Sequence, residues 1–593
     1  MYIWSMRRGT VGLIGMLASA LACQSATVTR APASSQTQTS STRAIRAADP
    51  LSARQAEAVA ITKQTLSDLR RFGFAVDGTS LHVQVAREDA FVDGLAKNAT
   101  HFEMPGQFDA LSAIARLFGM SQGRSPDELK ALARLAVGEA TLAYYDHVAK
   151  TLVARDDADA RMLSLESLIA HELAHAYQDQ TFGLEAFIRA HRQSLDSLRA
   201  AHGILEGQAV VVGSGLEWSR RGVSIDRLDP DLADTSVGRL SAGEAFSVIY
   251  ESGRRLVLLR YREGGWAAVR DVLANPPTST EQLLHPQKFR RDLPTDVTLP
   301  ATPKSMTSLP IVFDGTLGEL LLYNRLLLVA KDLTMARVAA AGWDGDRLRV
   351  YGLADGGYAV AWRILWDRAS DARQFEQVVF KSLAGRMFVG LTRHDRVTDL
   401  VYSDLQAHFE PLRRALSSHR PQFYPSTFDA ESTAAVERVW ELAEQRRPYV
   451  SAGRWFLPEY GLSFQVPDGY AAVTMRGVDL LAAMPQDGFA SNVSLVYEQD
   501  LFGGDLEQYL REARDQTRMT SQRWLSHQTI RLGQSQAAIV ELEIPGDRYL
   551  MSAAMLVFPR NGRWVTITGA ALASERGRAR TLLEGIVRTL QFE

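Results

Sequence analysis

The sequence predicts a multidomain chain of mixed class: a mainly α N-terminal domain, an α+β middle domain and an α/β sandwich at the C-terminus. Three observations carry that prediction. At 593 residues the chain exceeds what one hydrophobic core organises, so several domains are expected. Apolar residues recur at helical spacing from about 51 to 293, until four prolines in "PTDVTLPATPKSMTSLP" (294–310) break the pattern. Beyond 453, short β-rich runs alternate with helical stretches near 504–518 and 573–590, as in sandwiches of sheet and helix. The composition, 46% hydrophobic and 23% charged, is that of an ordinary globular protein. Lys+Arg 66 against Asp+Glu 68 gives a net charge of −2, which offers no reason to expect nucleic acid as a partner.

Residues 1–23, "MYIWSMRRGTVGLIGMLASALAC", place Arg7 and Arg8 before an uncharged apolar run that ends in small residues. This is the layout of a secretory signal, too short for a spanning helix. The sole cysteine of the chain, Cys23, closes the run. "SALAC" resembles a bacterial lipobox, although Ala20 stands where leucine is commoner; the resemblance implies lipidation of Cys23 and a membrane anchor. Without the lipobox the chain reads as soluble and secreted. With one cysteine there is no internal disulfide, so the fold rests on packing. Residues 24–50 are rich in Ser, Thr, Gln and Ala and bury too little to offset their ordering entropy, so they read as a disordered tether.

The elements follow in order. Residues 51–293 form the first domain. Within it "EATLAYYDHVAKTLVAR" (139–155) has the Thr, Tyr and Val content of an extended segment, and helical patterning dominates from 160 to about 275. "REGGW" is expected to end a helix at Gly264–Gly265, and "STEQ" to start a short one after Pro276 and Pro277. No lysine follows those glycines, so neither stretch is a phosphate loop. After the proline segment, read as a linker, residues 311–447 carry a helix ("LGELLLYNRLLLVAKD"), a hairpin ("RLRVYGLADGGYAVAWRILW") and a further helix ("DARQFEQVVFKSLAG"). The Asp-Gly pair in the hairpin suits a tight turn. Residues 453–593 supply the strands "AAVTM", "SNVSLVYEQ", "AAIVELEI", "LMSAAMLVF" and "WVTITGAAL".

One stretch carries chemistry. In "LIAHELAHAYQDQ" (168–180), His171 and His175 stand four apart. A helix advances about 100° per residue, so the two rings lie only about 40° apart, one turn from each other, and can reach one ion. Glu172 points beside that ion, where a base acting on bound water would stand. A zinc site with an open position needs a third ligand; the downstream choices are Glu185, His191, His202 and Glu206. Glu185 follows too closely to fold back. Glu206 sits in "AHGILEGQAVVVG", a fresh helical segment that could return past the first, and is preferred to His202, which reads as a surface or capping residue.

HExxH followed by a glutamate on a later helix resembles the gluzincin arrangement of zinc metallopeptidases, of which thermolysin is one. "AHELAHAYQDQ", "LEGQA" and "GGWAAVRDVLANPPTSTEQLLHP" are similar to motifs of bacterial zincin-like proteins over residues 130–290, and "AAGWDGDRLRVY" adds to the likeness. The gap to the third ligand is longer than in thermolysin, and the NExxSD context is missing. The resemblance implies Zn2+ as cofactor, His171, His175 and Glu206 as ligands, Glu172 as catalytic base and a peptide or protein as substrate. An oxyanion would need a further donor; His285 and Tyr250 are candidates, as is Tyr144 or Tyr145. From "VPDGY" to the closing helix the C-terminal region resembles the PsbP-like fold, which implies a binding or structural module. The expectation is an exported, lipid-anchored zinc peptidase of the bacterial envelope. The alternative is a non-catalytic zinc-binding lipoprotein that acts as scaffold or assembly factor.

Overall fold

The computed structural model describes residues 50–119, 125–131 except 129, 141–156, 165–230 except 221, 244–419 except 331, 332 and 385, and 448–592 except 476–477, 485–489, 501–502, 519–521 and 546–549. The signal, Cys23 and the tether as far as residue 49 lie outside the described residues. Both helices and sheets are present, in several domains.

The N-terminal region begins with α1 (Pro50–Arg71), β1 (His82–Ala86), α2 (Glu88–Ala99) and α3 (Gln107–Leu117). The extended segment predicted at 139–155 is a hairpin, β2 (Ala143–Asp146) and β3 (Thr151–Arg155), turned by Lys150 at φ 52°. The three strands lie in the order β1-β3-β2, with β1 parallel and β2 antiparallel to β3. Among the described residues β2 is therefore an edge strand. Behind it come α4 (Leu165–Phe182), α5 (Leu184–Ala190), α6 (Leu195–Arg220), α7 (Glu244–Ala274) and the short α8 (Thr280–Leu284). α7 is broken at Gly264 and Gly265 (φ 61°), and Ser279 caps α8 by accepting from the Gln282 amide, both as the sequence predicts.

The middle region contains β4 (Ile311–Gly315), α9 (Glu319–Ala330), α10 (Leu333–Ala340), β5 (Trp343–Gly352), β6 (Tyr358–Trp366), α11 (Ala369–Leu383), β7 (Val389–His394), β8 (Val397–Ser403) and α12 (Gln406–Ser418). Its antiparallel sheet has the order β4-β5-β6-β8-β7. The hairpin β5–β6 forms where the Asp-Gly turn predicts it, with Gly356 at φ 76°. One face of this sheet shares a core with the N-terminal region: Ala110, Ile114 and Leu117 of α3 and Val248–Tyr250 of α7 pack with Leu348, Trp362 and Leu400. The proline segment lies against the same sheet. Met306 is fully buried with Tyr351 and Val401, and the Arg349 guanidinium donates to the Pro300 carbonyl (2.9 Å).

The C-terminal region comprises β9 (Tyr449–Ser451), β10 (Arg454–Leu457), β11 (Leu462–Gln465), β12 (Tyr470–Met475), β13 (Val478–Ala483), β14 (Asn492–Gln499), α13 (Leu506–Arg518), β15 (Arg523–Leu532), β16 (Ser535–Pro545), β17 (Leu550–Arg560), β18 (Arg563–Leu572), α14 (Arg576–Thr589) and β19 (Gln591–Phe592). Seven strands form one antiparallel sheet, β12-β13-β14-β18-β17-β16-β15. Side chains alternate across its plane. Ala538, Val540 and Leu542 meet Tyr509 and Leu510 of α13, while Ala537 and Ile539 join the opposite core, closed by Leu583 and Ile586 of α14. This two-sided burial explains why "AAIVELEI" and "LMSAAMLVF" read as near-continuous apolar runs.

α6 and α7 approach backbone to backbone. A Cβ at Gly253 would lie 1.9 Å from the Gly203 carbonyl oxygen, and one at Gly207 would lie 2.1 Å from the Gly253 carbonyl carbon. Alanine normally favours a helix by about 1 kcal/mol over glycine, whereas overpacking a tight contact costs about 1–3 kcal/mol. Gly253→Ala should therefore lower the thermal midpoint of the N-terminal region; a raised midpoint would show that the helices do not meet there.

Candidate metal centre

α4 is buried along nearly its whole length, from Leu165 to Asp179 apart from Glu166. Leu168, Ile169, Leu173 and Ala176 fill the core around it. This sets His171, Glu172 and His175 deep inside, each without exposed surface. α6 crosses behind and presents Glu206, also fully buried. The structure thus brings together three of the residues singled out as ligands. His171 Nε2 is 3.2 Å from Glu206 Oε2, His175 Nε2 is 3.5 Å from the same oxygen, and the two imidazole Nε2 atoms are 3.1 Å apart. Ligands placed tetrahedrally about 2.0–2.1 Å from zinc lie about 3.3 Å from one another. The triangle and the donor set therefore fit zinc.

The supporting contacts fix this geometry. His175 Nδ1 donates to Gln178 Oε1 (2.8 Å), which leaves Nε2 free to face the centre. The Gln178 amide nitrogen donates to the Leu205 carbonyl (2.8 Å) and to Gln208 Oε1 (3.0 Å), tying α4 to α6 beside Glu206. His202, expected at the surface or as a cap, is instead buried: one turn before Glu206, its Nε2 pairs with Oε1 of that carboxylate at 3.1 Å. Its ring stacks on Phe102, with centroids 4.6 Å apart. Sequence reasoning missed the roles of Gln178, Gln208 and His202. The signals were a glutamine three residues after His175, another two after Glu206, and a histidine four before it.

Charge follows these contacts. Burial alone would raise the Glu206 pKa, yet His175, His171 and His202 together hold it well below the usual carboxylate range. Glu172 has no such company. Neither carboxylate oxygen makes a full hydrogen bond to a described residue, the Tyr145 backbone N–H being the donor directed at it, and burial pushes its pKa up to about 7 against the opposing pull of His175. A buried carboxylate without a full hydrogen bond is costly, and one beside a ligand set is the expected position of a group that handles a proton.

The other predicted residues are distributed as follows. Tyr250 is buried with its ring nearly parallel to that of His171, centroids 6.5 Å apart. His285 is held by Glu319 of the middle region at 2.8 Å. The Tyr145 hydroxyl donates to Asp179 (2.9 Å), and Tyr144 packs edge-on against Phe91. His191 bonds the Phe187 carbonyl at 2.8 Å. Glu185, in the first turn of α5, meets His147 at 3.1 Å. β2 passes close by, and the Tyr145 carbonyl accepts from Asn98 Nδ2 (3.1 Å).

A family model described as a domain of unknown function (DUF8575) matches residues 310–404, the span of the five-stranded middle sheet. No curated protein matches the chain. Among solved structures there is weak likeness over a small part of the chain. Cyanobacterial PsbP (CyanoP) from Synechocystis sp. PCC 6803 is 13% identical, with a TM-score of 0.19, over 25% of this chain and 92% of that one. LpqN, involved in cell envelope biogenesis of Mycobacterium tuberculosis, is 14% identical with a TM-score of 0.19, over 24% and 88%. A protein from Bacteroides thetaiotaomicron VPI-5482 is 14% identical with a TM-score of 0.17, over 25% and 49%. Among the described residues no helix is long and apolar enough to cross a membrane.

Gln178→Leu is expected to strand the His175 ring N–H and Gln208 Oε1 in the core, at a cost of about 1–3 kcal/mol. Chemical denaturation with chelator present would measure this apart from any metal. An unchanged midpoint would show that Gln178 does not join the two helices.

Proposed function

We propose that the chain is an exported, lipid-anchored zinc peptidase of the bacterial envelope, anchored through Cys23 and acting on a peptide or protein. One observation carries the catalytic part: three ligand atoms spaced 3.1–3.5 Å apart adjoin a buried glutamate that no side chain among the described residues hydrogen-bonds. A structural zinc site needs no such base. Zinc held by His171, His175 and Glu206 would supply Lewis acidity and a lowered pKa for water. Glu172 takes the proton of the attacking water and returns it to the leaving amine. Burial raises its affinity for a proton, as a group that takes one up requires. His202 and Gln178 hold the ligands in orientation. Tyr250, whose ring lies nearly parallel to that of His171, is the donor candidate that adjoins a ligand. The side of β2 turned away from β3 offers a peptide a strand to lie against once Asn98 releases the Tyr145 carbonyl.

The second reading is a structural zinc site in an envelope scaffold. It is favoured by the complete burial of His171, Glu172, His175 and Glu206, because structural sites are closed.

Glu172→Gln separates the two readings. It should keep zinc at the wild-type stoichiometry and abolish cleavage of a peptide library that the wild type digests. Full cleavage by the variant, or none by the wild type, would refute the peptidase.

The ligands are tested by zinc content after dialysis against a weak chelator. Glu206→Ala should lose the ion from this centre. His202→Ala should weaken retention about 10–100-fold, as loss of a supporting contact does. If His202→Ala strips the metal and Glu206→Ala does not, the ligand assignment is wrong.

A further inference from the structure

Beside the HExxH helix, and sharing no residue with the centre above, His101, His147 and Glu185 converge with their ligand atoms within 4.8 Å of one another. His147 Nε2 lies 3.1 Å and His101 Nδ1 3.5 Å from one oxygen, Glu185 Oε2. The imidazole rings meet edge to face with centroids 4.6 Å apart. We propose that these three side chains form a second metal site, for a borderline divalent cation of zinc's class.

Two imidazoles and one carboxylate are a zinc donor set, and both rings aim at the same carboxylate oxygen. The comparison with Glu281, Asp292 and Asp367 is instructive. Those ligand-type groups also converge, but around the Lys288 ammonium, which lies 2.7 Å from Asp367 and 3.0 Å from Asp292 and also bonds Glu281. There the chain supplies its own cation. Among the described residues the groups paired with Glu185 within 4 Å are the two histidines, and Arg189, one turn along α5, acts on it only at longer range. The His147 side chain is 3% exposed, whereas those of His101 and Glu185 are 34% and 58% exposed. The site is anchored on one side and open on the other, where water can complete the coordination.

Its three ligands come from three elements around the first centre. His101 lies in the 3₁₀ turn Thr100–Phe102 that follows α2, His147 follows β2, and Glu185 opens α5 just beyond α4. On either side of His101, Asn98 bonds the Tyr145 carbonyl and Phe102 stacks on His202. A metal here ties the turn that covers the first centre to the edge strand and to the end of the HExxH helix.

The test uses the full chain, stripped with chelator and then dialysed against Zn2+ alone, with metal counted by mass spectrometry and folding checked by circular dichroism. Glu206→Ala, which cripples the first centre, should still retain about one equivalent of zinc per chain, since each intact ligand set binds independently. Adding His147→Ala should remove it. Glu185→Gln, an isosteric change at an exposed side chain, should lower that retention without altering the fold. If Glu206→Ala holds no zinc, or if neither His147→Ala nor Glu185→Gln changes the zinc content in either background, the second site does not exist. If Glu206→Ala leaves zinc unchanged while His147→Ala removes an equivalent, the second site stands and the first centre's ligand assignment fails.

Discussion

A carboxylate taken wholly out of water stays charged only where donors and cations replace its hydration. Glu206 meets that constraint with three imidazoles: His171 and His175 at Oε2, and His202 at Oε1. Much of the N-terminal architecture serves to hold this arrangement. Two of the imidazoles come from α4 and one from α6, so those helices must cross at a fixed register. Gln178 sets the register by bonding the carbonyl of Leu205, the residue before Glu206. On an adjoining face of α6, Gly203 and Gly207 let α7 approach to backbone contact. A larger residue there would push α6 away from its partner, or α7 out of the core that it shares with the middle sheet.

That same logic explains what could be read from the sequence. Helical periodicity places His171 and His175 on one face without any tertiary knowledge, and a carboxylate on a later helix is the residue type that completes the set. Glu206 was therefore legible. His202 was not, because its role depends on a neighbour one turn along the same helix, where histidine more often caps or faces solvent. Gln178 was unreadable for a related reason: its partners, Leu205 and Gln208, lie on another helix. In the middle region the β5–β6 hairpin was legible from its Asp-Gly turn. The packing of α3 on that sheet was not, since no local pattern shows that Ile114 will meet Trp362. β15 escaped because it is an edge strand, largely exposed, and "RWLSHQTIRL" lacks the apolar run of the buried strands.

Among the described residues three clusters of ligand-type side chains invite a common account, and their surroundings separate them. Glu281, Asp292 and Asp367 gather around Lys288 inside the contact between the N-terminal and middle regions, where one ammonium faces three carboxylates. Burial raises the Glu281 pKa well above its ordinary value, against the pull of Lys288. The segment carrying His285 is fixed here through Glu319. This network joins regions. The two clusters that contain imidazoles differ in kind: their donors are the ones that prefer a borderline cation, and neither has an ammonium or guanidinium within ion-pairing distance among the described residues.

Burial of the first centre sets the last constraint. Glu172 has no exposed surface, the Tyr145 carbonyl on the open side of β2 is bonded by Asn98, and Phe102 lies over His202. On the peptidase reading, a substrate strand pairing with β2 needs the carbonyl that Asn98 occupies, so the turn from Asn98 to Phe102 must give way before a peptide reaches Glu172. His101 sits in the middle of that turn. A cation shared by His101, His147 and Glu185 would hold the turn closed, and its loss would free the segment that blocks the edge strand. On the scaffold reading the same turn has no reason to open, and a second cation would only reinforce a closed centre. The two readings therefore differ in what they require of one short segment, and Asn98 is the residue on which that difference falls.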